Sequence, residues 1–128
     1  MVARLMQKAF DRDMSVLGIT RSQWVMIVVV ARNPGATQRI IADALDMTEA
    51  AAGRLIDRLC DDGLLERKPK PDDRRAYCIH LTDKAQPLLD QLAQVGSSKE
   101  DEFFAGFAEE DLALLQALLG RIYENVSR

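Results

Sequence analysis

The sequence predicts a mainly α-helical chain carrying one small β wing of two or three strands. Three observations carry that expectation. Apolar residues recur at spacings of three and four through most of the chain, and Thr, Asn or Gly stand at the breaks between runs. Aromatic residues make up only 5% of a chain that is 48% apolar, so Leu, Ile, Val, Ala and Met must build the core, which favours helices. One stretch, residues 64–82, breaks the pattern: two short apolar runs flank a tip rich in proline and charge. A length of 128 residues is one domain's worth, 1–128, with room for a real core.

Taken in order, residues 2–17 put Val2, Leu5, Met6, Ala9, Phe10, Met14 and Leu17 on one helical stripe, and Gly18 follows as a stop. Thr20 with Gln23 three positions on reads as a capping box. Residues 24–30, Trp-Val-Met-Ile-Val-Val-Val, have the propensity of a buried strand. The capping box before them and Asn33-Pro34-Gly35 after them favour a buried helix ending near Arg32 instead. Thr37 caps a short helix over 38–45, with Ile40, Ile41, Ala44 and Leu45 expected inward. After a tight turn at Asp46-Met47, Thr48 caps a helix reaching about Asp62, with Ala52, Leu55, Ile56 and Leu59 inward. Gly63 ends that helix, as glycine commonly does just past a C-terminus.

In the wing, Pro69 and Pro71 lack backbone donors, so the tip is expected to be an extended loop. A further helix should begin at Thr82, with Pro87 in its first turns and Gly96-Ser97-Ser98 interrupting it near the middle. A terminal helix rich in Leu, Ile and Phe closes the chain.

Charge is unevenly placed. Residues 64–81 hold five Lys/Arg against three Asp/Glu, whereas 82–128 hold four against nine, within a net charge of −3. The hairpin is therefore locally cationic in an acidic chain, and placement matters more to binding than the sum. No apolar run reaches the roughly 20 residues of a membrane span, and no signal region opens the chain, so a cytoplasmic protein is expected. Two cysteines and one histidine make neither a disulfide framework nor a zinc set, and no cofactor is implied. No phosphate loop, nucleophile elbow or paired ligand set appears, and an enzyme is not expected.

Two short helices joined by a tight turn, followed by a cationic hairpin at residues 67–75, form a helix-turn-helix with a wing. Such a unit sets its second helix in a DNA major groove, with the wing over the adjacent minor groove. The stretch from Thr37 to Thr82 resembles the MarR family of bacterial transcriptional regulators. The resemblance rests on Thr37-Gln38-Arg39-Ile40-Ile41-Ala42, Arg54-Leu55-Ile56-Asp57-Arg58-Leu59 and Gly63-Leu64-Leu65-Glu66-Arg67, and above all on Asp73-Arg74-Arg75 followed at fixed distance by Leu81-Thr82.

That resemblance implies a homodimer held by its terminal helices, 1–17 and 83–128, around a DNA-binding unit at 20–82. It implies a palindromic double-stranded operator, usually repressed, and often release by a small phenolic or aromatic effector. It also implies a tip pair of Asp73 and Arg75, with the arginine aimed into the minor groove. The density of large apolar residues from Phe103 to Val126 independently favours a dimer.

Within the DNA-binding unit, Arg74 joins Arg75 at the tip, and Lys68 and Lys70 suit phosphates. Thr37, Gln38 and Arg39 suit phosphate contact at the start of the first short helix. In the second helix Thr48, Ala50, Ala51 and Arg54 face the DNA. Alanine can touch a thymine methyl, and Arg54 can bond guanine or phosphate. Asp57 and Arg58 read as mainly structural. An effector would lie near Phe10, Met14, Trp24 and Ile27. Two alternative readings remain: a winged helix that bridges proteins, and a redox-sensing regulator acting through Cys60 and Cys78 inside the DNA-reading unit.

Overall fold

The computed structural model describes residues 1–128, the side chain of Arg74 excepted. Helices α1 (Val2–Ser15), α2 (Arg21–Arg32), α3 (Gln38–Ala44) and α4 (Glu49–Asp61) precede strands β1 (Leu65–Lys70) and β2 (Asp73–Leu81). A short 3-10 turn, Asp83–Ala85, then leads into α5 (Gln86–Phe103), and α6 (Glu109–Val126) ends the chain. The chain falls into two compact units, Met1–Gly96 and Ser97–Arg128.

Local chemistry sets most of these boundaries. Thr20 and Gln23 close the expected capping box: the Thr20 hydroxyl accepts from Gln23 N, and Gln23 Oε1 accepts from Thr20 N. That box, with Asn33 taking up the last carbonyls, makes the β-branched run a helix, and Met26, Ile27 and Val30 are fully enclosed. Thr20→Ala is expected to lower the unfolding free energy by about 1 kcal/mol, read as a lower urea midpoint at unchanged slope. An unchanged midpoint would show that the box does not stabilise α2.

The Thr37 and Thr48 hydroxyls accept from Ile40 N and Ala51 N, so the two short helices start where their threonines stand. Asp46, at φ 53°, turns the chain between them, and Gly63, at φ 77°, ends α4 in the left-handed conformation. The core of the first unit gathers Met26, Ile27 and Val30 from α2, Ile41 from α3, Ile56 and Leu59 from α4, and Leu65 and Ile79 from the wing base. Helix α4 is thereby seated against α2, α3 and β1, which fixes the surface it presents outward.

Several expectations are corrected. Ile40 and Ala44 are exposed; Ile41 and Ala42 fill the inward positions of α3. Pro69 is not loop but strand, paired with Tyr77 beside a bulge, and the tip shrinks to Pro71-Asp72. As the edge of a two-stranded ribbon, β1 tolerates a residue without a donor. Thr82 stands at the N-cap of the 3-10 turn, where a helical start is expected, but its hydroxyl makes no cap bond: it donates to Gly63 O at 2.5 Å, tying the wing base to the end of α4. Pro87 falls in the first turn of α5, where its missing N–H costs nothing, and α5 runs unbroken through Gly96-Ser97-Ser98. The wing has two paired strands, and Thr37 adds an isolated bridge to Cys78 in the place of a third.

In the second unit, Phe104 and Phe107 meet edge to face at 5.8 Å. The Asp111 carboxylate accepts from Ala108 N and starts α6. No residue of α6 is buried.

Candidate nucleic-acid interface

The outward surface of α4 is built by subtraction. Ala52 and Gly53 are buried and Ala51 is half-buried, so Ala50 is the exposed alanine of the run. Ala50 and Arg54 stand four residues apart, one above the other on the same exposed face. A small methyl beside a long guanidinium leaves a shallow, close-approach surface with one strong donor. Glu49 is exposed in the first turn, where the helix dipole favours it. Thr48 is exposed, but its hydroxyl already accepts from Ala51 N.

The side chain of Gln38 does not extend to solvent as phosphate contact would require. It is half-buried, its Nε2 donates to Glu49 O at 3.1 Å, and its Oε1 accepts from Arg67 at 3.3 Å. Arg67, one of the five cations of the hairpin, is likewise turned inward. Its Nη1 lies 2.5 Å from the Asp57 carboxylate, and its Nη2 donates to Gly53 O at 3.3 Å. Asp57 is structural as expected, though its partner is Arg67 of the wing. Sequence reading missed this cluster. The one available signal was Gly53 in mid-helix, where glycine disfavours the helix unless something must come close.

Arg39, Lys70 and Arg75 are exposed; Lys68 is exposed beside Glu66, at 3.3 Å. Thr37 is half-buried at its cap. The side chain of Arg74 lies outside the described residues. Asp73 Oδ1 accepts from the backbone N of Arg75 at 2.9 Å, so the carboxylate shapes the turn of the chain and not the guanidinium itself. The wing thus offers exposed Lys68, Lys70 and Arg75 on a ribbon that Arg67 ties to α4, a set of cations suited to polyanion backbones and grooves.

Met14 and Ile27 are enclosed in the core, and Phe10 stacks on Trp24 at 6.1 Å. The Trp24 Nε1–H is buried without a hydrogen bond of ordinary geometry, near enough to Asp11 to help hold its carboxyl low. The larger cause of that lowering is the hydrogen bonding of Asp11 to Arg21. Cys60 and Cys78 are free thiols, Cys78 buried and Cys60 half-buried. Burial pushes the Cys60 thiol up, with nearby Arg67 pulling the other way, which disfavours the thiolate that oxidation chemistry needs. Among the described residues no cluster of His, Cys, Asp or Glu could hold a metal ion, and no helix is long and apolar enough to cross a membrane.

The sequence model of the MarR family matches residues 17–76. A protein of Thauera aromatica assigned to transcriptional regulation of the hcr operon is 31% identical over 110 residues, covering 86% of this chain. The chain spans 66% of that relative's length. Among solved structures, the transcriptional regulator PA3341 is 31% identical with a TM-score of 0.86, over 98% of this chain and 93% of that one. A cysteine-to-serine variant of MarR from E. coli, complexed with operator DNA, is 26% identical with a TM-score of 0.82, over 95% of this chain and 88% of that one. With its helix-turn-helix, two-stranded wing and long terminal helices in the same order, the chain belongs to the MarR family of transcriptional regulators.

Proposed function

We propose that the chain is a DNA-binding repressor that works in the cytoplasm as a homodimer, reads a palindromic operator, and is released from it by a small aromatic or phenolic effector. The observation that carries this reading is the exposed Ala50–Arg54 face of α4, with the wing that bears the exposed cations Lys68, Lys70 and Arg75 tied to α4 through Arg67, in a chain whose net charge is −3. Arg54 reads a base edge or phosphate, Ala50 and Ala51 approach thymine methyls, and Arg75 enters the minor groove with Arg74 beside it. Thr37, Arg39, Thr48, Lys68 and Lys70 contact the backbone, with Gln38 and Asp73 holding the surface in shape. The likeness to a MarR variant that binds operator DNA supports the same mode of docking.

The apolar face of α6 supports a second copy as partner, and two helix-turn-helix units related by a two-fold axis suit half-sites about one turn of DNA apart. The stacked pair of Phe10 and Trp24, 6.1 Å apart, supports an aromatic effector.

The test is the affinity of the purified chain for genomic fragments, beginning with DNA upstream of its own gene, at two salt concentrations. Arg75→Ala is expected to weaken selective binding about tenfold and to reduce the salt slope by about 1. Equal affinity for all fragments, indifferent to Arg75, would reject operator reading.

A further inference from the structure

We propose that Gln38 is a positioning residue: lying across Gly53, it locks the wing strand to α4 so that Arg54 and the wing cations meet DNA as one surface. The proposal rests on the operator-reading function above and adds the device that aligns its two halves.

Gln38 is the first residue of α3, directly after the Thr37 cap, and its side chain crosses to α4 instead of leaving the surface. One end of the amide donates to Glu49 O at 3.1 Å, on the first turn of α4. The other end accepts from Arg67 Nη2 on β1 at 3.3 Å. The same Nη2 donates to Gly53 O at 3.3 Å, and Nη1 holds Asp57. A single side chain thus joins the starts of both short helices to the wing.

Gly53 is the residue that makes room. A Cβ built there would lie 2.7 Å from Gln38 Nε2, closer than such atoms approach. Alanine would otherwise suit this buried mid-helix position better. Arg54 follows Gly53 directly, and β1 carries Arg67 straight into Lys68 and Lys70. A two-stranded ribbon is marginal by itself, so the direction of its tip depends on what ties its base. Arg67 keeps Asp57 and Gly53 as partners without Gln38. Loss of Gln38 should therefore loosen the wing without unfolding it.

The test compares Gly53→Ala, Gln38→Ala and the double variant. The alanine methyl displaces only the end of a flexible side chain, so Gly53→Ala should not lower the thermal midpoint. Without DNA, amide hydrogen exchange at Glu66, Lys68 and His80, which lie in the hydrogen-bonded pairs of the ladder, is expected to speed up about tenfold in either single variant, and no further in the double. Affinity for the genomic fragment selected by the parent chain should fall fivefold to tenfold, about what one lost hydrogen bond amounts to, with unrelated DNA bound as before. Unchanged exchange in Gly53→Ala overturns the proposal. So does an equal loss on selected and unrelated DNA, which would make Gln38 a direct backbone contact. If the parent chain selects no fragment, operator reading itself fails, and the exchange measurement alone decides whether the bridge holds the wing.

Discussion

Leu118→Glu combined with Ile122→Glu is expected to leave monomers where we propose that the parent chain forms dimers. Leu114, Leu118 and Ile122 succeed one another at single-turn intervals along α6 and are 60%, 43% and 56% exposed. Leu119, Tyr123 and Val126 continue the apolar surface alongside them, all exposed. An apolar face of that length on an isolated chain exceeds what soluble monomers ordinarily leave to water. Glutamate is a good helix former, so α6 itself should survive the change. In a two-fold interface the double variant would bury four unpaired carboxylates, and each costs at least a few kcal/mol.

The dimer dissociation constant should therefore rise by more than about a thousandfold, at roughly 1.4 kcal/mol per factor of ten. Sedimentation velocity at micromolar concentration reads this directly, with far-ultraviolet circular dichroism as the control for helix content. Operator affinity should fall with it, because two linked half-site contacts become two independent ones. A variant that still sediments as a dimer would place the interface elsewhere.

How far the sequence could be read depended on how local the cause was. Thr20 with Gln23, Thr37, Thr48 and Gly63 each act within three or four residues, and each boundary they predict is observed. The family resemblance rested on the same short-range patterns and on the spacing from Asp73 to Thr82. What was misread depends on distant approach. Arg67 sits in a cationic run and reads as one more surface charge. Only the docking of β1 against α4 brings Asp57, ten residues earlier in the chain, within 2.5 Å of it. Gly53 has no sequence neighbour that explains it; its lack of a side chain is what admits Gln38, fifteen residues earlier. Gly96-Ser97-Ser98 reads as a break on propensity alone, yet α5 continues through it. The orientation of α3 was illegible for a different reason. Seven residues make two turns, too few for periodicity to decide which of two adjacent isoleucines turns inward.

That pair gives the sharpest test of the packing. Ile41 is fully enclosed in the core with Met26, Ile27, Ile56 and Ile79, whereas Ile40, one position earlier, is 52% exposed. Ile41→Ala should cost about 2–5 kcal/mol, the lost transfer of three carbons plus the cavity they leave in a core that cannot fully collapse. Against a total stability of about 5–15 kcal/mol, that is enough to bring the chain near unfolding at physiological temperature. Ile40→Ala should stay within about 0.5 kcal/mol, because its methyl groups already face water. Both variants share one composition and one helix, so propensity cancels and the difference in urea midpoint isolates burial. Measured at one protein concentration, to hold any dimer contribution fixed, the two midpoints should separate widely, with Ile41→Ala the lower. Equal midpoints, or the reverse order, would mean that α3 sits about a quarter-turn from the orientation described. Since Gln38 reaches α4 only from this orientation, the same result would also withdraw its bridge to Glu49 and Arg67.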